Sequence, residues 1–199
     1  MGSRLLRSLS WRLDFSIQRL YRVRLDERVP AAPFPGLDIR PLTRGELMQV
    51  AGDPSMDLEV AHIDPALSRG DSCLGAFERG ALAGYMWIAL DEAPLAHPLW
   101  IHVPPDTLWW YKVFVRREQR GRGIARQLYA HQDSAVALRN RASACLGIAI
   151  ENQPSISAAV AAGFRPAGYY AYRFGRSGPA VWVSRAVRAG GIEIVTRDS

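Results

Sequence analysis

An apolar and aromatic run from Leu108 to Val115 leads through Arg116-Arg117-Glu118-Gln119 into Arg120-Gly121-Arg122-Gly123-Ile124-Ala125. Val113, Phe114 and Val115 are β-branched or aromatic, and Lys112 is the only charge in the run, so the stretch reads as a buried strand. Behind the glycines, Ile124, Leu128, Ala135 and Leu138 recur on one face of a predicted helix, with Arg122, Arg126, Asp133 and Arg139 largely elsewhere. A strand, a glycine turn and a helix in this order place bare backbone amides at the positive end of a helix dipole. Arginines at 120, 122 and 126 add fixed positive charge, and the combination suits a polyphosphate.

Other phosphate loops fit less well. No Lys-Ser or Lys-Thr follows the glycines, as a Walker loop requires, and the third glycine and downstream acid of a dinucleotide fold are missing. A second apolar run, Cys145 to Ile150, precedes Glu151-Asn152-Gln153-Pro154-Ser155, and Gly163-Phe164 closes a short predicted helix. Pro154 suits the first turn of that helix and Gly163 its end.

Arg120-x-x-Gly123-x-Ala125 after a strand ending Val-x-Val, followed by Asn152-x-x-Ser155 and Gly163-Phe164, resembles the GNAT superfamily of N-acyltransferases. The resemblance implies an α/β fold with a mixed central sheet flanked by helices, binding acetyl-CoA or another acyl-CoA. It implies that Val113, Phe114 and Val115 lie along the pantetheine arm. The diphosphate would rest on the amides of Gly121, Arg122, Gly123, Ile124, Ala125 and Arg126, with Arg120 and Arg122 as ligands. Asn152 and Ser155 would touch the rest of the coenzyme. No metal is implied, since a well-placed amine can attack the thioester directly.

Many family members carry a tyrosine seven residues after the motif asparagine, where it protonates the leaving thiolate; here that residue is Ala159. Others carry a glutamate on the strand before the glycine loop, where this chain has Trp109, Trp110 and Tyr111. Tyr170 and Glu151 are the candidate substitutes, as acid and base. Each has a plainer reading, Tyr170 as a packed aromatic and Glu151 as a capping or surface carboxylate. His131, on the apolar helix stripe, reads as a core histidine, the tryptophan pair as core or acceptor-pocket lining, and Arg116 and Arg117 as solvated.

Outside the resemblance, Leu6, Leu9, Leu13, Ile17 and Leu20 recur every three or four residues, which predicts a basic amphipathic helix over residues 3–24. Six arginines and one aspartate in residues 1–24 carry most of the net charge of +6, so the basic excess is not a nucleic-acid surface. Such a helix can dock on its own domain, on a second subunit in a homodimer, or on an anionic membrane, and it also resembles a presequence. A proline-rich connector, Val29 to Gly36, then separates residues 1–36 from an acyltransferase domain over residues 37–188, with residues 189–199 as a tail.

Within the domain, Leu37 to Leu42 alternates as a first strand. Thr43 and Glu46 have the spacing of a capping box, and residues 54–68 suggest a short helix. Ser72 to Phe77 and Ala81 to Leu90 read as a hairpin, residues 91–107 as an irregular proline-bearing loop near the acceptor site, and Tyr169 to Phe174 and Ala180 to Val187 as the last strands. Cys73 and Cys145 are too few and too far apart in sequence for a disulfide framework or a zinc site. No uncharged apolar run reaches the roughly 18 residues of a membrane span, so a cytoplasmic protein is expected. The expected activity is transfer of an acetyl or short acyl group from acyl-CoA to a primary amine of a small molecule or protein. Two alternatives stand beside it: an inactive CoA-binding sensor or interaction module, and a membrane-associated long-chain N-acyltransferase.

Overall fold

In the computed structural model, which describes residues 15–32, 34–131 and 141–197, two sheets carry the chain. The strands are β1 (Phe15–Arg24), β2 (Leu37–Pro41), β3 (Ser72–Glu78), β4 (Ala81–Ala89), β5 (Glu92–Ala96), β6 (Leu99–His102), β7 (Thr107–Val115), β8 (Ser143–Ala149), β9 (Arg165–Gly175), β10 (Gly178–Val183) and β11 (Glu193–Thr196). The helices are α1 (Arg44–Ala51), α2 (Val60–Ser68), α3 (Ile124–Ala130), α4 (Gln153–Ala161) and α5 (Arg185–Ala189). The large sheet runs β10-β9-β1-β8-β7-β4-β3-β2 and is antiparallel except where β7 lies parallel to β8; the small one runs β11-β6-β5. This is the mixed α/β architecture expected, and the strand–turn–helix unit at its centre is β7 and α3.

The first correction concerns the N-terminal helix. Residues 3–14 lie outside the described residues, but Phe15–Arg24 is a strand seated between β8 and β9, with Arg22 opposite Cys145 on one side and Arg165 on the other. Its apolar residues serve both faces of the sheet: Leu20 packs with Trp109, Cys145 and Tyr170, whereas Tyr21 and Val23 pack with Trp110, Leu146 and Phe164. An interior strand buried on both faces loses the simple alternation that marks a half-exposed one. Ile17 and Leu20 therefore matched a helical spacing by coincidence, while the aromatic and β-branched Phe15, Ile17, Tyr21 and Val23 were the better guide. Arg22 is not on a solvated helix face: its Nη2 donates to Thr107 Oγ1 at 2.9 Å and its Nε to Ser143 Oγ at 3.2 Å, pinning β1 to the starts of β7 and β8.

Residues 91–107 are not an irregular loop either; they form the β5–β6 hairpin. Pro94 is tolerated because β5 is an edge strand, where a missing amide interrupts no ladder. The C-terminal segment supplies the third strand of that sheet, β11, with Ile194 opposite Ile101. Residues 185–187, expected as the end of the last strand, instead open α5. The capping box is present, with Thr43 Oγ1 accepting from the Glu46 amide and Glu46 accepting from the Thr43 amide at 2.8 Å.

Candidate functional site

The site is made by a parting of strands. β7 and β8 pair only from Thr107–Ser143 to Trp109–Cys145 and then separate, leaving a slot in the middle of the sheet. Opposite Met86 of β4, β7 holds an extra residue, with Lys112 at φ 46°. This bulge bends the outgoing strand and lets Val113, Phe114 and Val115 line one wall of a cavity of about 740 Å³. The opposite wall is the start of α4, where Asn152, Pro154 and Ser155 line it along with Ser157 and Ala158. Its volume is that of a site for a sizeable small molecule.

The glycine turn closes one end. Gly121 and Gly123 hold left-handed φ values of 78° and 85°, and a Cβ on either would meet nothing within 4 Å, so glycine is needed there for conformation and not for space. With Gly123 capping α3, the amides of residues 121–126 make no hydrogen bond to a described residue. Arg126 lines the cavity with its Nε buried and unpartnered, and Arg120 lines it while donating from Nε to the Val115 carbonyl at 3.0 Å. Among the described residues no carboxylate lines the cavity, and Arg120 and Arg126 make this end of it cationic. Unmatched donors and positive charge are what a diphosphate would satisfy.

Several expected residues fall elsewhere. Arg122 is turned away, its guanidinium gripping Glu78 at 2.6 and 2.7 Å and lying over the Phe34 ring, so it braces the loop and does not line the cavity. Arg116 is not solvated: it donates to Asp53 at 2.7 Å, Ser55 at 2.9 Å and the Leu82 carbonyl at 2.7 Å, fixing the loop's entry. The Ser55 hydrogen bonds first, then that ion pair, hold the Asp53 carboxyl down at about 2. Asn152 uses its side-chain oxygen to cap α4 through the Ser155 amide at 3.3 Å.

The two candidate catalytic residues also lie outside the cavity lining. Glu151 is half-buried in the turn before α4. Tyr170 is 2% exposed, on the face of the sheet away from α3 and α4, among Leu20, Trp109 and Cys145, and burial pushes its phenol far above the ordinary range. Its hydroxyl lies over Gly147, where a Cβ would come within 1.9 Å. Ala159 is fully buried in the cluster with Trp110, Tyr129 and Phe164. Trp109 and Trp110 are both core, on opposite faces, with Trp110 stacked on Tyr129. His131 ends α3, its carbonyl accepting from Arg28 at 2.8 Å.

Gln119, Ser157 and Ala158 also line the cavity; they come from segments flanking the motifs and carry no signal of their own. Sequence reasoning also missed the other face of the slot. There, Tyr111 of β7 donates to Asp71 at 2.6 Å, Arg69 donates to the same oxygen at 2.7 Å, and His62 Nε2 lies 3.5 Å from the Tyr111 hydroxyl. These residues are scattered over 49 positions and have no motif.

Comparison with known proteins agrees with this geometry. The family model described as "Acetyltransferase (GNAT) family" matches residues 38–164, a span that runs from β2 through Phe164. Among solved structures, a GCN5-related N-acetyltransferase from Kribbella flavida is 11% identical with a TM-score of 0.53, covering 84% of this chain and 61% of its own. A GCN5-related N-acetyltransferase from Sphaerobacter thermophilus is 19% identical at 0.53, covering 85% and 55%, and a GNAT-family acetyltransferase from Colwellia psychrerythraea is 16% identical at 0.54, covering 83% and 59%. The chain thus spans roughly three fifths of the structures it matches, and at such identities the likeness is one of fold. No curated protein sequence matches it.

Proposed function

Because the chain belongs to the GNAT acetyltransferase family, we propose that it transfers an acetyl or short acyl group from acyl-CoA to a primary amine. The observation that carries this reading is the row of unbonded amides over residues 121–126, opening into the same cavity as Arg120, Arg126 and the end of β7. Bound acyl-CoA supplies an activated thioester. Val113 to Val115 form a free strand margin along which an extended amide-bearing arm can lie, since β8 has already diverged. Arg120, Arg126 and the α3 amides neutralise a diphosphate. Asn152 retains its amide nitrogen as a donor at the opposite wall, and the Ser155 hydroxyl faces the same space.

This fit supports acyl-CoA over a free nucleotide, because the cavity joins an anion cradle to an apolar strand edge. The acceptor is an amine of a small molecule or of a protein. Among the described residues no helix is long and apolar enough to cross a membrane. The long-chain, membrane-lying alternative relied on a helix over residues 3–24, whose second half is now a sheet strand. The inactive CoA-binding alternative keeps one supporting observation: among the described residues no titratable acid or base other than arginine lines the cavity.

Binding of acetyl-CoA by calorimetry tests the reading. Gly123→Glu forces a side chain with a carboxylate onto a left-handed backbone, and Arg126→Ala deletes the unpartnered donor. Each is expected to weaken binding at least tenfold with the circular dichroism spectrum unchanged. Unaltered affinity in both variants would remove the site.

A further inference from the structure

The residues on the far side of the slot are arranged for proton movement, and they rest on the acyltransfer reading just given. β7 presents Val113 and Val115 to the cavity face, while Tyr111, one bulge earlier, belongs to the clusters on the opposite face. On that face lie the half-buried Tyr111 ring and His62 of α2, with the Asp71 carboxylate, whose side chain is 1% exposed, behind them. Trp87 of β4 holds the His62 ring edge-on at 5.1 Å, and Tyr111 holds it at 5.8 Å.

The hydrogen bonds have a direction. Tyr111 gives its proton to Asp71, so its oxygen can only accept from His62 Nε2. That selects the imidazole tautomer protonated on Nε2 and leaves a lone pair on Nδ1, which makes no hydrogen bond to a described residue. The Tyr111–His62 contact is long, as such bonds often are before a substrate is bound. We propose that His62 is the general base for the acceptor amine, with Tyr111 and Asp71 positioning it and relaying the proton inward.

The step balances. The amine nitrogen forms the amide bond as the thioester carbon–sulfur bond breaks, and sulfur leaves as thiolate. The amine proton passes to His62 Nδ1, the Nε2 proton to the Tyr111 oxygen, and the phenolic proton to Asp71. Burial first, then Lys112 and Arg69, bring the His62 imidazole down to about 4, so it is unprotonated at neutral pH; the same shift makes it a weak base, and onward transfer through Tyr111 to Asp71 is what draws the proton away. Burial raises the Asp71 carboxyl, against the Tyr111 and Arg69 hydrogen bonds and with help from Glu92 of β5, making it a better terminal acceptor than an ordinary aspartate.

Thiol release from acetyl-CoA by the purified full chain, over a panel of arylalkylamine, polyamine, aminoglycoside and lysine-peptide acceptors, tests the inference. On the best amine, His62→Gln and Tyr111→Phe are each expected to lower kcat about a hundredfold or more, with acetyl-CoA affinity unchanged. His62→Gln is also expected to change the acidic limb of the kcat profile, read at saturating amine so that protonation of the free acceptor does not contribute, which a packing defect would leave in place. Tyr111→Phe retains the ring against His62 and Trp87, so it reports on the relay even if His62→Gln folds poorly. Wild-type activity with kcat within threefold in both variants overturns the relay alone. A wild type that binds acetyl-CoA yet releases no thiol with any amine overturns the relay together with the acyltransfer reading.

Discussion

Single residues decide how close the layers of this molecule come. Gly147 lets the Tyr170 phenol lie against β8, with no space for even one added methyl. Gly147→Ala is therefore expected to destabilise the protein by about 1–3 kcal/mol through overpacking, read as a lower urea midpoint. Tyr170→Phe in the same background should recover part of the loss, because the hydroxyl is the nearest atom but the ring carbon behind it remains at 2.9 Å. His62 sets a pH dependence whose sign follows from its lowered value. Between about 4 and the ordinary histidine value of about 6.5 the unfolded chain binds a proton that the folded chain refuses. Its contribution to stability is complete above that window and falls as pH drops through it. Groups facing it are Lys112 and Tyr111 on β7, with Arg69 and Asp71 after α2. Thermal melts from pH 4 to 7 should show a flatter slope in His62→Gln than in the wild type.

Elements differed in how openly they were written. The central unit was readable because a strand, a glycine turn and a helix each leave a local mark, and the Thr43–Glu46 box marks the start of α1 in the same way. β1 was not readable, because a strand with neighbours on both sides and cores on both faces has no polar side to alternate with, and its partners lie far along the chain. The same limit hid β5, β6 and β11, where Pro94 and short length resemble a loop until the three strands meet. At the site, the residues that line the cavity followed from a contiguous motif. Arg122 was misplaced because its Glu78 partner comes from a separate hairpin, and the His62–Tyr111–Asp71 set was invisible for the same reason. Truncation tests the role assigned to β1. A chain starting at residue 15 should melt cooperatively, whereas one starting at residue 25 removes the strand that bridges β8 and β9 and should be insoluble or lack a melting transition.

In the whole molecule, the eight-stranded sheet is the shared wall of three apolar clusters, with Trp110 on one face, Trp109 on the other and Trp87 at the far end. Clusters that share a wall lose it together. Tryptophan fluorescence and far-ultraviolet circular dichroism should report coincident urea transitions, and separated midpoints would show that the clusters unfold independently. The seating of β1 also has a bearing on biosynthesis. Its neighbours, Ser143–Ala149 and Arg165–Gly175, emerge from the ribosome long after it does. A nascent chain must therefore carry Leu20, Tyr21 and Val23 without shelter through most of translation and then insert them into a gap between two late arrivals. That timing makes this segment the natural place for a chaperone to hold, and ties the rate of maturation to the slow closing of very distant pairings.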